Sequence, residues 1–566
     1  MNYLYIIAGA AIISLVVVPL MMAYAEKLGM MDNPGQRRVH SKPIPRVGGW
    51  GIVIGTLLPI AALAPLGEMQ GLFIFSGLVL LIFGAMDDRF EMGPYAKFGG
   101  QFLAAVPMVV LGVLYLPHLP FADAHSLPVW LGMLIAVFCL VGMINATNQS
   151  DGLDGLAGGE SLLSLCAFAM LSYMVGAREP LMLSLAAVGG TLGFLRYNTH
   201  PARVFMGDSG AQFLGFTLGV LAIWLMQVAE PSLSPSLLLF LLGLPVFDFF
   251  LVLYVRLRAG QHIFKASKHH LHHRLLSLGF VHHESVVLIY AMHGLMVVTG
   301  LWLRNSSDLV LIAAYIALIS FFLVMLTRAE NSDWKAHRPG ETEPNGLAKQ
   351  IDSMLQHRLL VVWPRRALEL LIPLYLVIVS AAISAVPRDF AWVSAVLLVP
   401  LVLQFVMKSD WGSGARRIAI YTATVFVVYL CAWDRTGWAR QWAIYAEMFY
   451  YALVAVCAAI AIRFSPGRRK EEFVVTSLDY LLVFIVICSM LFSDYLPVGG
   501  FNIPIFIVAL VVMLYAIELL IVERKTRTDW LGRAAAVSLV IIAWRGLDVV
   551  RLNINFFPWL DGIIAP

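Results

Sequence analysis

The sequence predicts an all-α polytopic membrane protein, with about eleven transmembrane helices in a first part and about seven further helices behind it. Three observations carry that prediction. Of 566 residues, 60% are hydrophobic and only 13% charged, far too apolar for a soluble chain of this length. Apolar stretches recur from Leu4 onwards at the length of about 20 residues that a bilayer requires. The polar residues between them fall into short loops, and alternation with period two is absent, which selects helices over a barrel.

The first set of apolar segments lies near 3–24, 48–65, 71–86, 100–117, 127–144, 159–176, 181–195, 210–229, 236–255, 286–303 and 309–327. With these spans, Lys27, Arg37, Arg38, Lys42, Arg46, Arg89, Lys97, Arg196, Arg203, Arg256, Arg258, Lys265, Lys268 and Arg274 share one side, against little more than Arg178 and Arg304 on the other. The positive-inside rule puts the charged side in the cytoplasm and the N-terminus outside. Ala23, Tyr24 and Ala25 mimic a signal-cleavage site, but no positive charge precedes the apolar run, so this segment is read as a retained helix. The polar stretch from Arg328 to Arg366, with Pro339, Gly340 and Pro344, reads as a cytoplasmic linker. Beyond it, further segments lie near 368–386, 391–407, 418–433, 443–462, 474–492, 502–522 and 534–551. This gives a membrane domain over 1–330, a linker over 331–366 and an additional membrane domain over 367–566.

The net charge of +4 implies no nucleic-acid partner. The five cysteines, Cys139, Cys166, Cys431, Cys457 and Cys488, sit in apolar runs without metal-ligand spacing and read as packing residues.

The face that carries the basic residues also carries most acids, amides and imidazoles of the first part, and that convergence points to one site. Lys42 and Arg46 stand with Arg37 and Arg38 on a proline-stiffened turn ahead of Gly48 and Gly49, suited to gripping phosphate oxygens or serving only as topology charges. Asp87 and Asp88 end an apolar helix, with Lys97 shortly after. Such a pair is either a solvated terminus or a place for Mg2+ and phosphate, since that cation prefers oxygen ligands. Asn145, Asn148, Asp151 and Asp154 recur every three residues. A continuous α-helix would turn that stripe by about 60° per step, so Gly152 and Gly155 are expected to break the helix and leave both aspartates on a loop. Asp208 lies between Gly207 and Gly210 after Phe205 and Met206, fit for a metal ligand or an N-cap. His269, His270, His272 and His273 alternate with Lys265, Lys268 and Arg274, and that positive company favours pyrophosphate over zinc. Asp248, inside an apolar segment after Pro245, is functional or supports its neighbours.

These loops resemble, in order and on one face, the polyprenyl-phosphate N-acetylhexosamine-1-phosphate transferases of glycosyltransferase family 4, which share a fold with the muramoyl-pentapeptide transferases. The resemblance covers residues 1–330. It implies transfer of N-acetylhexosamine-1-phosphate, N-acetylglucosamine-1-phosphate foremost, from a UDP-sugar to undecaprenyl phosphate, releasing UMP at the start of a cell-surface glycan pathway. It further implies Mg2+, with Mn2+ as the alternative, held by Asp208 and Asp151. Asp87, Asp88, Asp151 and Asp154 take catalytic roles in this reading. Lys42, Arg46, Lys97, Asn145, Asn148, Asn198, His270, His272, His273 and Arg274 take substrate-binding ones. The implied location is a bacterial inner membrane with the site facing the cytoplasm. Where these enzymes carry an aspartate followed by arginine ahead of the histidines, this chain has Ser267 and Lys268, a departure that bears on sugar choice. The competing class is a transporter or flippase of lipid-linked sugars, whose carboxylates belong at mid-membrane rather than at one interface. Residues 367–566 offer no comparable loop. Asp479, Glu518, Arg545, Asp548 and Arg551 lie in or beside apolar segments and either pair or serve structure alone, and the extension is read as a docking, assembly or lipid-handling module, with homodimerisation or glycan-assembly partners.

Overall fold

The computed structural model describes residues 2–32, 43–64, 67–122, 127–229, 233–258, 260, 270–332, 334–337, 358–383, 386–407, 412–433, 440–463, 476–492, 497–498, 501–523 and 529–547. Arg37, Arg38, His40, Lys42, Gln261, Lys265, Ser267, Lys268, His269, Asp548, Arg551 and most of the expected linker lie outside them.

The chain opens with α1 (Asn2–Leu28), followed by a two-residue antiparallel ribbon of β1 (Met31–Asp32) and β2 (Ile44–Pro45). Next come α2 (Gly48–Leu63), α3 (Glu68–Phe90), α4 (Pro94–Val110), α5 (Val129–Ser150), α6 (Leu156–Met174), α7 (Arg178–Asn198) and α8 (Gly207–Val228). A 3-10 turn at Pro235–Leu237 leads into α9 (Leu238–Leu241) and α10 (Gly243–Arg258), then α11 (Leu271–Ser277), α12 (His282–Leu303) and α13 (Asp308–Glu330). The remaining helices are α14 (Arg358–Ala382), α15 (Arg388–Met407), α16 (Gly412–Trp433), α17 (Arg440–Arg463), α18 (Ser477–Leu491), α19 (Ile503–Glu523) and α20 (Asp529–Leu547). A small ribbon, β3 (Pro497–Val498) with β4 (Phe501–Asn502), precedes α19.

Among the described residues nine helices are long and apolar enough to cross a membrane, or ten if a bent pair counts as one span. The chain is therefore a polytopic, mostly α-helical membrane protein. Large apolar side chains such as Ile12, Val16, Trp130, Phe138 and Phe321 stand exposed on these helices, as lipid contact requires and water would penalise.

Three expectations need correction. The segment at 236–255 is not one straight helix: α9 and α10 meet at 85°. Gly243 costs little to bend, and Pro245 has no N–H to give to the preceding turn. The segment at 100–117 begins at Pro94 and stops at Val110, because Pro94 stands at N1, where its missing N–H is no loss. Cys139 is exposed on α5 rather than packed in a core.

The residues divide into two compact units: Met1–Glu341 together with Thr476–Cys488, and Thr342–Val475 together with Ser489–Pro566. Most of α18 thus belongs with the first unit despite lying far along the chain. In that unit α1 packs on α2 and α7, α7 on α6, α5 on α8, and α3 on both α4 and α8. The spanning window of α8 is 89% buried against 22% for α1, so α8 is the central helix and its N-terminus opens inside the bundle. In the second unit α20 packs against α14, α15 and α16, and Tyr375 stacks on Tyr450 at 4.7 Å between centroids. There Glu518 accepts from the Tyr421 hydroxyl, and Arg545 donates to the carbonyl of Ala381.

Candidate active site

The site is built around the start of α8. Gly207 takes φ +72°, a left-handed conformation that glycine adopts without strain, and a Cβ there would lie within 2.6 Å of an Asp88 carboxylate oxygen. Asp88, in the last turn of α3, is buried and faces the first turn of α8. Its Oδ1 accepts the Asp208 N–H at 2.8 Å, and its Oδ2 accepts the Ser209 N–H at 3.3 Å and hydroxyl at 3.1 Å. The first amides of a helix have no partner within it and carry partial positive charge, so a carboxylate there is stabilised twice over. Asp88 is therefore the external cap of α8, and its oxygens are already engaged.

The Pro45–Gly49 turn clamps the same loop from the other side. Phe205 N–H donates to Pro45 O at 2.8 Å, Gly48 N–H to Phe205 O at 2.9 Å and Gly49 N–H to Met206 O at 2.8 Å. A Cβ on Gly49 would stand 2.2 Å from the Gly210 nitrogen, so this glycine serves the approach of α2 to α8. Arg46 pairs with Asp32 across the ribbon and also faces Asp151.

Asp87 points elsewhere. Its Oδ1 accepts the Met92 N–H at 2.7 Å, and its Oδ2 pairs with the Lys97 ammonium. Lys97 Nζ is also 3.7 Å from Asp208 Oδ1, which accepts from Asn148 Nδ2 at 2.7 Å. Asp208 is thus no N-cap; Met206 holds that position, and the Asp208 carboxylate turns toward Lys97 and Asn148. Two acids from α3 and α8 converge on one cation, beside an amide from α5. Asn145 donates instead to Gln101 Oε1 on α4 and to Val141 O, both at 2.8 Å, which makes it a strut between α4 and α5. Gln101, buried, had no signal in the sequence beyond being polar in an apolar run.

The four-residue stripe divides as its spacing predicts: Asn145 and Asn148 lie at the end of α5, Asp151 and Asp154 on the turn before α6. Burial, then the neighbouring charges of Asp208 and Asp154, push the Asp151 carboxyl up to about 7 against the opposing pull of Arg46. Asp154 goes the other way. Its burial is outweighed by a hydrogen bond from His200 Nδ1 at 2.7 Å, by His282 and by the Ala202 N–H at 3.1 Å, so it stays ionised below the usual range. Asp154, His200 and His282 present three ligand atoms within 4.8 Å of one another and form a candidate metal group. Those donors are hydrogen-bonded already: the Asp154 N–H reaches His282 Nε2 at 2.9 Å, and the two rings stack at 4.3 Å. The adjacent His282 and His283 were the sequence signal for this group. Asn198 is buried, its Oδ1 accepting the Gly155 N–H at 3.0 Å and its Nδ2 donating to Val204 O at 2.9 Å. The expected substrate contact from Asn198 gives way to a staple between two site loops.

The histidine arm depends on Asp248. Its carboxylate accepts from His270 Nδ1 at 2.7 Å and from the Leu271 N–H at 2.9 Å, orienting His270 at the start of α11. His272 packs on Gly152, where a Cβ would come within 2.5 Å of its ring. Burial, with His273 and His270 nearby, lowers His272 to about 3 and keeps it neutral. The His273 ring lies 4.3 Å from that of His272. Arg274, expected to contact substrate, grips Glu330 with two hydrogen bonds, of 2.8 and 2.7 Å.

A membrane-embedded bundle that gathers acids, amides and one ammonium at helix ends has the makings of an enzyme acting on phosphorylated substrates. Glycosyl transferase family 4 matches residues 71–226. A probable undecaprenyl-phosphate N-acetylglucosaminyl 1-phosphate transferase of Bacillus subtilis is 33% identical, over 52% of this chain and 82% of the relative. A decaprenyl-phosphate N-acetylglucosaminephosphotransferase of Mycobacterium tuberculosis is 33% identical, over 50% and 78% respectively. An undecaprenyl-phosphate alpha-N-acetylglucosaminyl 1-phosphate transferase of Escherichia coli K12 is 28% identical, over 53% and 82%. The chain belongs to glycosyltransferase family 4, among the polyprenyl-phosphate N-acetylhexosamine-1-phosphate transferases.

Proposed function

We propose that this chain transfers N-acetylglucosamine-1-phosphate from its UDP-sugar to undecaprenyl phosphate on the cytoplasmic face of a bacterial inner membrane. The coarser reaction, transfer of N-acetylhexosamine-1-phosphate from a UDP-sugar to a polyprenyl phosphate, follows from family membership. The sugar and lipid of the finer reading are those named for the relatives, the cytoplasmic face follows the positive-inside rule, and the place of the reaction rests on the convergence of Asp87 and Asp208 on Lys97 beside Asn148.

In this reaction an oxygen of the lipid phosphate attacks the β-phosphorus of the UDP-sugar. One phosphoanhydride forms as another breaks, and UMP leaves with the bonding electrons. Bond types barely change, so the protein's task is to align two anions that repel each other. The lipid phosphate has a second pKa of about 6 and is largely a dianion at neutral pH, so no strong base is required. The carboxylate oxygens of Asp208 and Asp151, with Asp87 near Asp208, suit Mg2+ by their chemistry, while among the described residues the three ligand atoms already gathered within 4.8 Å are those of Asp154, His200 and His282. Bound by Asp208 and Asp151, the cation would neutralise charge on the phosphates. Lys97 adds a second positive charge, Asp88 fixes the start of α8, and Asp154 with His200 and His282 holds the loop that carries Asp151. His270, His272 and His273 are assigned to the sugar phosphate.

On this reading residues 1–330 form the transferase domain, with eleven helices in the membrane and the N-terminus outside, and the linker expected over 331–366 ends before Arg358, where α14 begins. Of the seven helices that follow, most of α18 belongs to the first unit, and the others are given a docking role. Transfer of radiolabelled sugar phosphate to lipid in detergent tests the reaction, and detergent removes the two compartments that a transporter needs. Activity should vanish with EDTA and return with Mg2+; full activity in EDTA would end the metal assignment. Exchange of labelled UMP into the UDP-sugar without lipid would replace single displacement with a covalent intermediate. A panel of UDP-sugars identifies the donor.

A further inference from the structure

The bend between α9 and α10 leaves a carbonyl without its helical partner. In an unbroken helix Leu241 O would accept from the N–H four residues on, but that residue is Pro245, which has none. Leu241 is fully buried, so bulk water does not reach the orphan oxygen. The Ser164 hydroxyl of α6, itself 1% exposed, donates to it at 2.6 Å. A second acceptor, Glu160 O one turn back on α6, lies farther from that hydroxyl at 3.3 Å.

Ser164 is held in turn by His293 of α12, which is fully buried and brings Nε2 to 2.9 Å from the same hydroxyl oxygen. The hydroxyl has one hydrogen and a carbonyl can only accept, so that hydrogen goes to Leu241 O and the imidazole is the donor. In the neutral ring this places the proton on Nε2 and leaves Nδ1 an acceptor, which among the described residues has no partner. The other limb of the bend is braced from α13, where the Tyr315 hydroxyl donates to Gly243 O at 3.3 Å. A Cβ on Gly243 would lie 2.8 Å from the Tyr315 ring, so the bend closes on that side chain. Side chains of α6, α12 and α13 thus hold the two carbonyls on either side of Leu242. Asp248 follows Gly243 by about one and a half turns of α10, and there it accepts from His270 Nδ1 at 2.7 Å and from the Leu271 N–H at 2.9 Å. The direction in which α10 leaves the bend decides where Asp248 meets the histidine arm.

We infer that Ser164 and His293 are positioning residues for the histidine arm: the chain of hydrogen bonds from His293 through Ser164 to Leu241 O sets the bend that carries Asp248 to His270. Both side chains are sealed inside the bundle and touch no substrate; they act through Leu241 O and α10. The inference rests on the assignment of His270, His272 and His273 to the sugar phosphate.

The test uses the full chain in detergent with Ser164→Ala, His293→Phe, His293→Gln and the double variant Ser164→Ala/His293→Phe, scored for kcat, both KM values and melting temperature. Ser164→Ala should raise the KM for UDP-sugar roughly fivefold and His293→Phe roughly threefold, the scale of one hydrogen bond, with the lipid KM within about twofold of the parent. The double variant should be no worse than Ser164→Ala alone, because one residue acts through the other. His293→Gln, whose amide N–H can stand where Nε2–H does, should stay within about twofold of the parent. If Ser164→Ala fails to fold, His293→Phe set against His293→Gln gives the same reading. A merely structural role would lower the melting temperature and the active fraction, and so kcat, with both KM values unchanged. That pattern, or losses that multiply in the double variant, would overturn the inference. His270→Ala, assayed alongside, separates the two levels: an unchanged UDP-sugar KM there would overturn the assignment of the arm itself, whereas a raised one there with an unchanged one in Ser164→Ala would overturn the inference alone.

Discussion

The acidic end of α3 and α8 and the histidine arm both combine carboxylates with nitrogen donors, but they balance charge differently. At the first, Asp87 and Asp208 share the ammonium of Lys97, and Asp151 adds a third carboxyl within reach of Arg46, itself paired with Asp32, so among the described residues four acids meet two cations. At the second, Asp248 has its own partner in His270, and Asp154 has His200 with His282 close by. A cluster with more acids than cations is unstable in low dielectric unless a further positive charge arrives or a proton is taken up. A cluster whose acids are individually paired needs nothing more. The contrast separates a place that still calls for a cation from an arm whose acids are already balanced and whose imidazoles are left to meet the sugar phosphate.

The largest effect should come from breaking the unbalanced cluster. Asp208→Asn keeps the shape and removes the charge, and transfer should fall at least roughly 10²-fold, the scale of losing one preorganised electrostatic contact. Asp88→Asn, one residue from Asp87, should leave more activity and act mainly on stability, because Asp88 caps α8 instead of facing Lys97. Transfer assays and melting curves on both variants decide this; equal losses of activity with unchanged melting would erase the distinction between the neighbours.

The middle effect is a pH dependence. The Asp151 carboxyl, raised to about 7, is protonated below that value and ionised above it, so activity that needs its charge should climb as pH rises through about 7. The stability sign is opposite. A carboxyl whose folded pKa lies above its unfolded value favours the fold when protonated, and that preference fades as pH rises from about 4 to about 7. Saturating Mg2+ should move the activity limb to lower pH, since the cation favours the carboxylate. A profile from Asp151→Asn that keeps the same limb would assign it to another group.

These contrasts explain what was legible in the chain. The division of the Asn145-to-Asp154 stripe between α5 and the turn before α6 could be read because residue type and spacing decide it. The separate directions of Asp87 and Asp88 follow from helix geometry, about 100° per residue, but which one faces the cation depends on where α8 and α4 arrive. Asn198 and Arg274 could not be read: each has the right chemistry for a phosphate, and only the fold reveals Gly155, Val204 and Glu330 as their partners. Nothing local in 477–488 signals its place in the first unit, because that is a long-range packing choice. For the same reason, cutting the chain after Glu341 would remove α18 as well, so lost activity there would not by itself assign a role to the rest of the extension.

The smallest effect probes the paired side. Arg274 and Glu330 join α11 to α13 through two hydrogen bonds in fork geometry, and the side chains remain partly exposed. An exposed ion pair contributes little by itself, so its value here is the angle it gives to the short helix bearing His272 and His273. Arg274→Ala should therefore reduce transfer only about threefold, and Glu330→Gln by a similar factor, as expected for losing one charged hydrogen-bonded contact at a surface. The double variant should match either single one, since both break the same link. If Arg274→Ala costs far more than Glu330→Gln, the guanidinium has a second partner during the reaction, and Arg274 would join His270, His272 and His273 in handling the sugar phosphate directly.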